Sequence, residues 1–256
     1  AMPEQIFYER IVRDAMELAC RMMKCGAEVR NVEKTVERLC TAYGASECSV
    51  FAITSYMFAT IRFRSHTVNC SKRISGAVTA LDRLEEYNDL SRFICRERPE
   101  PDIIESRMAA IEKMRPPVLL HMLGYILGAG SLTVLVGGSL FDFLVSAAIG
   151  MIVFFCDRLI KRRGINKLIY TMLMCTAVGC LAILSVSLGI GTDMDKIIIG
   201  DIMLFIPTLT LCNSIKDMLH GDIFTGVYSF IDALLVTLMI ALGFYIAELL
   251  LGGMLT

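Results

Sequence analysis

Beyond Pro207 the chain carries a run of groups able to hydrogen-bond a small polar solute. Thr208, Thr210, Asn213 and Ser214 follow the proline within one apolar stretch, residues 197–215, and four carboxylates, Asp201, Asp217, Asp222 and Asp232, flank it. Proline removes the N–H that would have bonded the carbonyl one turn back, and so frees that carbonyl. In a bilayer such a carbonyl persists only beside protein, water or a bound solute. Ionisable groups in or near an apolar span are costly, and they mark substrate or proton pathways by default. Hydroxyls and an amide suit a small polar solute, whereas a carboxylate can hold an ammonium group or carry a proton. Pro207, Thr208, Thr210 and Asn213 are therefore candidate substrate-binding residues, and Asp201, Asp217, Asp222 and Asp232 are candidates for proton or ammonium coupling. The structural alternative is an ordinary Pro kink, with Asp201, Asp217 and Asp222 at the water interface.

The elements that must position these groups divide sharply by composition. The chain has 256 residues, a net charge of −1 and a mean hydropathy of +0.61, but residues 1–115 hold 18 Lys+Arg and 17 Asp+Glu while residues 116–256 hold only 7 and 9. The pattern predicts an N-terminal small α/β cytoplasmic domain, 1–115, joined at Arg115-Pro116-Pro117 to an α-helical multi-pass membrane domain, 116–256. Five apolar runs, 118–136, 140–156, 168–190, 197–215 and 228–251, read as five transmembrane helices. The basic loop DRLIKRRGINK, residues 157–167, belongs on the cytoplasmic side by the positive-inside rule. Counting spans back from it puts the N-terminal domain in the cytoplasm; counting forward puts the C-terminus outside. That orientation corresponds to a bacterial inner (plasma) membrane protein. Asp142 falls near the outer end of the second span and reads as interfacial, while Asp232 lies about one turn into the fifth. Gly124 and Gly128 form GxxxG, with Gly130 beyond and Gly150, Gly179 and Gly243 elsewhere, all read as helix-packing positions.

Within residues 1–115, Phe7, Ile11, Ala15, Leu18, Ala19 and Met22 recur at helical spacing, predicting a helix from Pro3 to Cys25 that Gly26 ends. Asn31 suits an N-cap for a second helix with Val32, Val36, Leu39, Cys40 and Tyr43 on one face, ended by Gly44. The connecting segment GAEVRNVE is explained by caps, with a binding loop as the alternative. Residues 47–53 and 57–64 read as a hairpin turning at Thr54-Ser55-Tyr56, with Ala59, Ile61 and Phe63 on one face and Thr60, Arg62 and Arg64 on the other. Residues 66–70 are a candidate third strand. Val78, Leu81, Leu84 and Leu90 predict a helix to about Cys95, and a last helix spans 102–114.

The start of the chain is polar and amphipathic, which predicts no secretory leader. Ten cysteines without a CxxC pair, and scattered His66, His121 and His220, argue for a reducing compartment and against a zinc site. No phosphate-binding glycine loop, nucleophile–base constellation or basic stripe is present, so no cofactor, enzyme activity or nucleic-acid partner is expected. No Lys or Arg falls between Val118 and Cys156 or in the cores of the last three spans. A zwitterion with hydroxyl and ammonium groups suits that lining better than a dianion.

The order of parts resembles the threonine/serine exporter family. MKCGAEVRNVEKTVERLCTAYG, residues 23–44, looks like that family's first-domain motif, and Pro207 with Asn213, Asp217, Gly221-Asp222 and Gly226 looks like its signature in the fourth and fifth spans. The family commonly has Pro-Gly at the break, where Thr208 follows Pro207 here. Full-length exporters carry a second membrane half, so the resemblance implies that this chain corresponds to the first half alone. Its short members, similar to this chain, work with a separate small membrane protein, in some cases linked to dicarboxylate export. A second five-span unit fused at the C-terminus would run inverted, and inverted repeats place substrate at their interface. The resemblance thus implies one subunit of a secondary-active exporter of threonine or serine, working with a second membrane subunit; a homo-oligomer is a further option. A C4-dicarboxylate (succinate-type) exporter subunit and a membrane-anchored metabolite sensor are the alternatives.

Overall fold

A computed structural model describes residues 4–64, 66–76, 80–115, 117–160 and 166–254. Val78, Pro3 and most of the basic segment of the 157–167 loop lie outside the described residues. The described chain forms two compact units, residues 1–115 with 209–230, and residues 116–208 with 231–256.

In the first unit, the helical periodicity of the N-terminus becomes α1 (Glu4–Lys24) and α2 (Val29–Ala42). Gly26, at φ 100°, ends α1 and lets Ala27 N–H donate back to the Met22 carbonyl at 3.1 Å. This tight exit starts α2 earlier than an Asn31 cap would. Glu28 holds the cap position, without a side-chain cap bond, and Asn31 sits inside the first turn, donating to Glu28 Oε2 at 3.1 Å. Strands β1 (Glu47–Ile53), β2 (Tyr56–Phe63) and β3 (His66–Arg73) form an antiparallel sheet in the order β1-β2-β3. Ile53 pairs with Tyr56, so the hairpin turn is Thr54-Ser55 alone and Tyr56 already belongs to the strand. Alternation on β2 is as the sequence predicts: Ala59, Ile61 and Phe63 are buried, while Phe58 is 41% exposed. Helices α3 (Leu81–Glu97) and α4 (Pro101–Lys113) follow, with Tyr87, Leu90, Ile94, Ile104 and Met108 joining the α1–α2 core.

Helix α1 is pinned to β3 by charge. Glu17 accepts from Lys72 and from Arg21 Nε. Burial alone would push the Glu17 carboxyl up, but the hydrogen bonds from Lys72 and Arg21 bring it below its ordinary range. Asp14, one turn earlier, is 3% exposed and Oδ2 has no hydrogen-bond partner among the described residues. Burial, reinforced by Glu105 and opposed by Arg13, raises its pKa from 3.8 to about 6.

In the second unit, α5 (Val118–Leu135), α6 (Leu140–Ile160) and α7 (Lys167–Ser187) follow the first three predicted spans, and α10 (Ile223–Leu251), which belongs to this unit from residue 231 on, covers the fifth. These four are long and apolar enough to cross a membrane. The fourth predicted span is instead two helices, α8 (Met194–Ile202) and α9 (Thr208–Leu219). Its single kinked helix is thus a full break, for a local reason. In a continuous helix Pro207 would clash with the carbonyl four residues back, that of Met203, where α8 closes. Leu204 N–H and Phe205 N–H donate three residues back, to Asp201 and Ile202, and so close the end of α8. Helix contacts also fall on other glycines than the GxxxG pair. A Cβ at Gly124 would meet nothing within 4 Å and one at Gly128 only Leu204 at 3.6 Å, whereas at Gly150 and Gly243 it would lie 2.6 Å from the carbonyls of Tyr125 and Met172.

The Asp14 carboxyl yields a signed test. Between pH 3.8 and 6 the folded chain keeps a proton that the unfolded chain releases, so stability is higher below this window and falls as pH rises through it. Asp14→Asn, neutral throughout, should raise the thermal midpoint at pH 7, by about 1–3 kcal/mol of stability, with no gain at pH 3.5; calorimetry at the two pH values checks this.

Candidate functional site

The unpaired carboxylate of the second unit sits on the inner face of α8. Ile197, Gly200 and Asp201 are all buried, and Ile197 packs in the cluster of Val145, Ile149, Val153, Met174, Val178 and Ala182 from α6 and α7. Asp201, one turn after Ile197, is therefore carried inward on the same face. It is 0% exposed, and neither carboxylate oxygen has a hydrogen-bond partner among the described residues. An adjacent glycine makes this depth accessible. A Cβ at Gly200 would overlap the Thr133 hydroxyl and lie 2.8 Å from the Thr133 backbone nitrogen, so α8 and α5 meet almost backbone to backbone. Thr133 and Ser146, both fully buried, bond each other hydroxyl to hydroxyl at 2.7 Å. A carboxylate left without partners in an apolar core is expensive as an anion, so the chemistry open to it is to take up a proton or to receive a cationic group.

A second carboxylate of this unit has the opposite surroundings. Asp142, which the sequence placed at the water interface, is 0% exposed. It accepts from Ser139 N–H and Oγ, both at 2.8 Å, from Thr192 N–H at 2.7 Å and Oγ1 at 2.6 Å, and from Asp193 N–H at 3.2 Å. Asp142 N–H in turn donates to Ser139 Oγ at 3.2 Å. Ser139-x-x-Asp142 is thus a reciprocal capping box at the start of α6, and it also grips the α7–α8 connection. The Ser-x-x-Asp spacing before an apolar run was the signal available in the sequence. Asp157 was missed as well. It accepts from the phenols of Tyr125 at 3.1 Å and Tyr170 at 2.7 Å, which ties α5, α6 and α7 together.

Asp232 lies nine residues after Ile223, where α10 begins, rather than one turn into a span. Its carboxylate is 44% exposed and 3.4 Å from Lys167 Nζ, so it has a cationic partner where Asp201 has none among the described residues. Pro207 lies in the break, and the side chain of Thr208 is exposed at the start of α9.

The remaining candidates fall in the first unit. Asn213 Nδ2 donates to the Gly26 carbonyl at 3.2 Å, and Lys216 pairs with Glu28 at 2.7 Å. Ser214 and Asp217 are buried, and Thr210 is half-buried. Asp222 N–H donates to the Asp217 carbonyl at 2.9 Å across a turn in which Gly221 has φ 95°, so Asp217 and Asp222 share one helix hairpin. The eight predicted residues are therefore split between the two units, Pro207, Thr208, Asp201 and Asp232 in one and Thr210, Asn213, Asp217 and Asp222 in the other. No group of three or more metal-binding side chains occurs among the described residues.

The family model ThrE, described as "Putative threonine/serine exporter", matches residues 13–251, nearly the whole chain. No curated protein and no solved structure gives a significant match.

The difference between the two buried carboxylates is measurable. Asp142→Ala strands the donors of Ser139, Thr192 and Asp193, and should lower stability by about 2–4 kcal/mol. Thermal unfolding of the detergent-solubilised protein tests it, with an unchanged midpoint counting against the capping role.

Proposed function

The chain belongs to the threonine/serine exporter family, and from that premise we propose that it is one subunit of a secondary-active exporter of small polar amino acids, threonine or serine, working with a second, small membrane subunit. The family is one of transporters rather than enzymes. In this reading the chain crosses a bacterial inner membrane five times, through α5, α6, α7, the α8–α9 pair and α10. The N-terminal domain is cytoplasmic, on the same side as the basic 157–167 loop, and the C-terminus is outside.

The observation that carries the reading is Asp201, fully buried, without a hydrogen-bond partner among the described residues, and just before a helix break in an apolar stretch. Discontinuous crossings are where secondary transporters bind solute, because the ends of the two half-helices leave backbone groups free for it. Asp201 takes the proton or the substrate ammonium, and Pro207 and Thr208 form the break beside which the amino acid binds. Asp232 ranks second for coupling, since Lys167 already answers its charge.

The test is counterflow of labelled threonine, serine and succinate in proteoliposomes, with this chain alone and with a candidate partner subunit. Threonine or serine exchange that needs the partner supports the proposal, and a preference for succinate would replace the substrate class. Asp201→Asn should insert normally and reduce exchange to background, whereas Asp232→Asn should retain measurable exchange. Full exchange by the Asp201 variant would remove this residue from the mechanism.

A further inference from the structure

The segment after the break is held by the N-terminal domain. Asn213 and Lys216 are three residues apart on α9 and so share a face. Both meet the α1–α2 turn: Asn213 Nδ2 donates to the Gly26 carbonyl at 3.2 Å and Lys216 Nζ lies 2.7 Å from Glu28 Oε1. That turn is fixed on its own side. Gly26 adopts φ 100°, Ala27 N–H donates to Met22, and Ala80 N–H donates to the Cys25 carbonyl at 3.2 Å. One turn further along α2, Glu33 accepts from Ala52 N–H at 2.8 Å. Burial pushes the Glu33 carboxyl up, the Ala52 N–H draws it down, and the charge of Asp222 adds to the rise.

The α9 side is equally well defined. A Cβ at Gly226 would meet the Ser214 carbonyl at 2.7 Å and overlap the Met218 side chain, so the first turn of α10 lies directly against α9. Helix α9 and the start of α10 therefore form one tight hairpin, and the α1–α2 turn touches its polar face. The Lys216–Glu28 pair is partly exposed, at 55% and 21% of the two side chains. Pairs of that kind add little to overall stability. What this one supplies, with the Asn213–Gly26 bond, is direction: it fixes where α9 lies.

We infer that Glu28 and Lys216 are positioning residues for transport, and that the N-terminal domain is a working part of the exporter, setting the position of the half-helix that follows the break. The inference rests on the exporter reading for its rate measurements, and it identifies Asn213 as a contact to the Gly26 carbonyl rather than to solute.

Charge reversal tests it in the full chain with its partner subunit. Glu28→Lys and Lys216→Glu should each lower the maximal rate of threonine exchange at least about fivefold, with the KM and the thermal midpoint little changed. The double reversal, which restores an attractive pair, should recover the rate to within about twofold of the unaltered protein. Wild-type rates in both single variants, or a double variant no better than the worse single, would overturn the inference. A second measurement needs no transport. Cysteines placed together at positions 28 and 216 should be joined by a short bis-maleimide in membranes, and neither single cysteine should give the same product. Failure to cross-link overturns the contact itself, whereas absence of threonine or serine exchange by the unaltered protein counts only against the substrate reading.

Discussion

A backbone that stops being helical within an apolar stretch of sequence has to find partners for the carbonyls it frees, and the arrangement of α8 and α9 follows from that constraint. Pro207 favours the interruption, because a continuous helix would set its ring against the Met203 carbonyl and it has no N–H to donate. The nine-residue α8 that precedes it is too short to be stable alone. It is held by packing: Gly200 lies against Thr133, Ile197 enters the α6–α7 cluster, and the Asp142 network clamps the connection that leads into it. Helix α9, beyond the interruption, draws its partners from the α1–α2 turn and from α10. Each half is thus stabilised by different neighbours.

The same division explains the contrast between the acids. Asp142 and Asp201 are both fully buried, yet one is saturated with donors and the other has none among the described residues. A saturated carboxylate is a structural joint whose charge is already answered. An unanswered one retains the capacity to bind something, and in a family of exporters that capacity is the feature with chemical consequence.

Much of the architecture was legible in the sequence because it rests on periodicity. The period-2 alternation of Ala59, Ile61 and Phe63 located the buried sheet face, and apolar length located α5, α6, α7 and α10. What escaped depended on contacts distant in sequence or on the exact course of a turn. Asn31 has the chemistry of a cap, but the φ of Gly26 starts α2 before it. Gly124 and Gly128 match a packing motif, yet which glycines meet a neighbour depends on how the helices cross: Gly150 and Gly243, also read as packing positions, are in tight contact, and so is Gly200, which was not singled out. Asp142 looked interfacial because its donors at Thr192 and Asp193 are some fifty residues away. The bond from Asn213 to the Gly26 carbonyl escaped for the same reason, its acceptor lying 187 residues earlier.

That separation also bears on biosynthesis. The first compact unit is discontinuous: residues 1–115 are made first, and residues 209–230 only after the intervening segment 116–208. At ~5–20 residues per second the delay is roughly 5–20 s, far longer than a small domain needs to collapse. During that interval the Gly26 carbonyl and Glu28 lack their α9 partners, and α5 to α8 must be synthesised before the unit can close. The N-terminal domain therefore emerges as an open template, and the arrival of α9 completes its assembly.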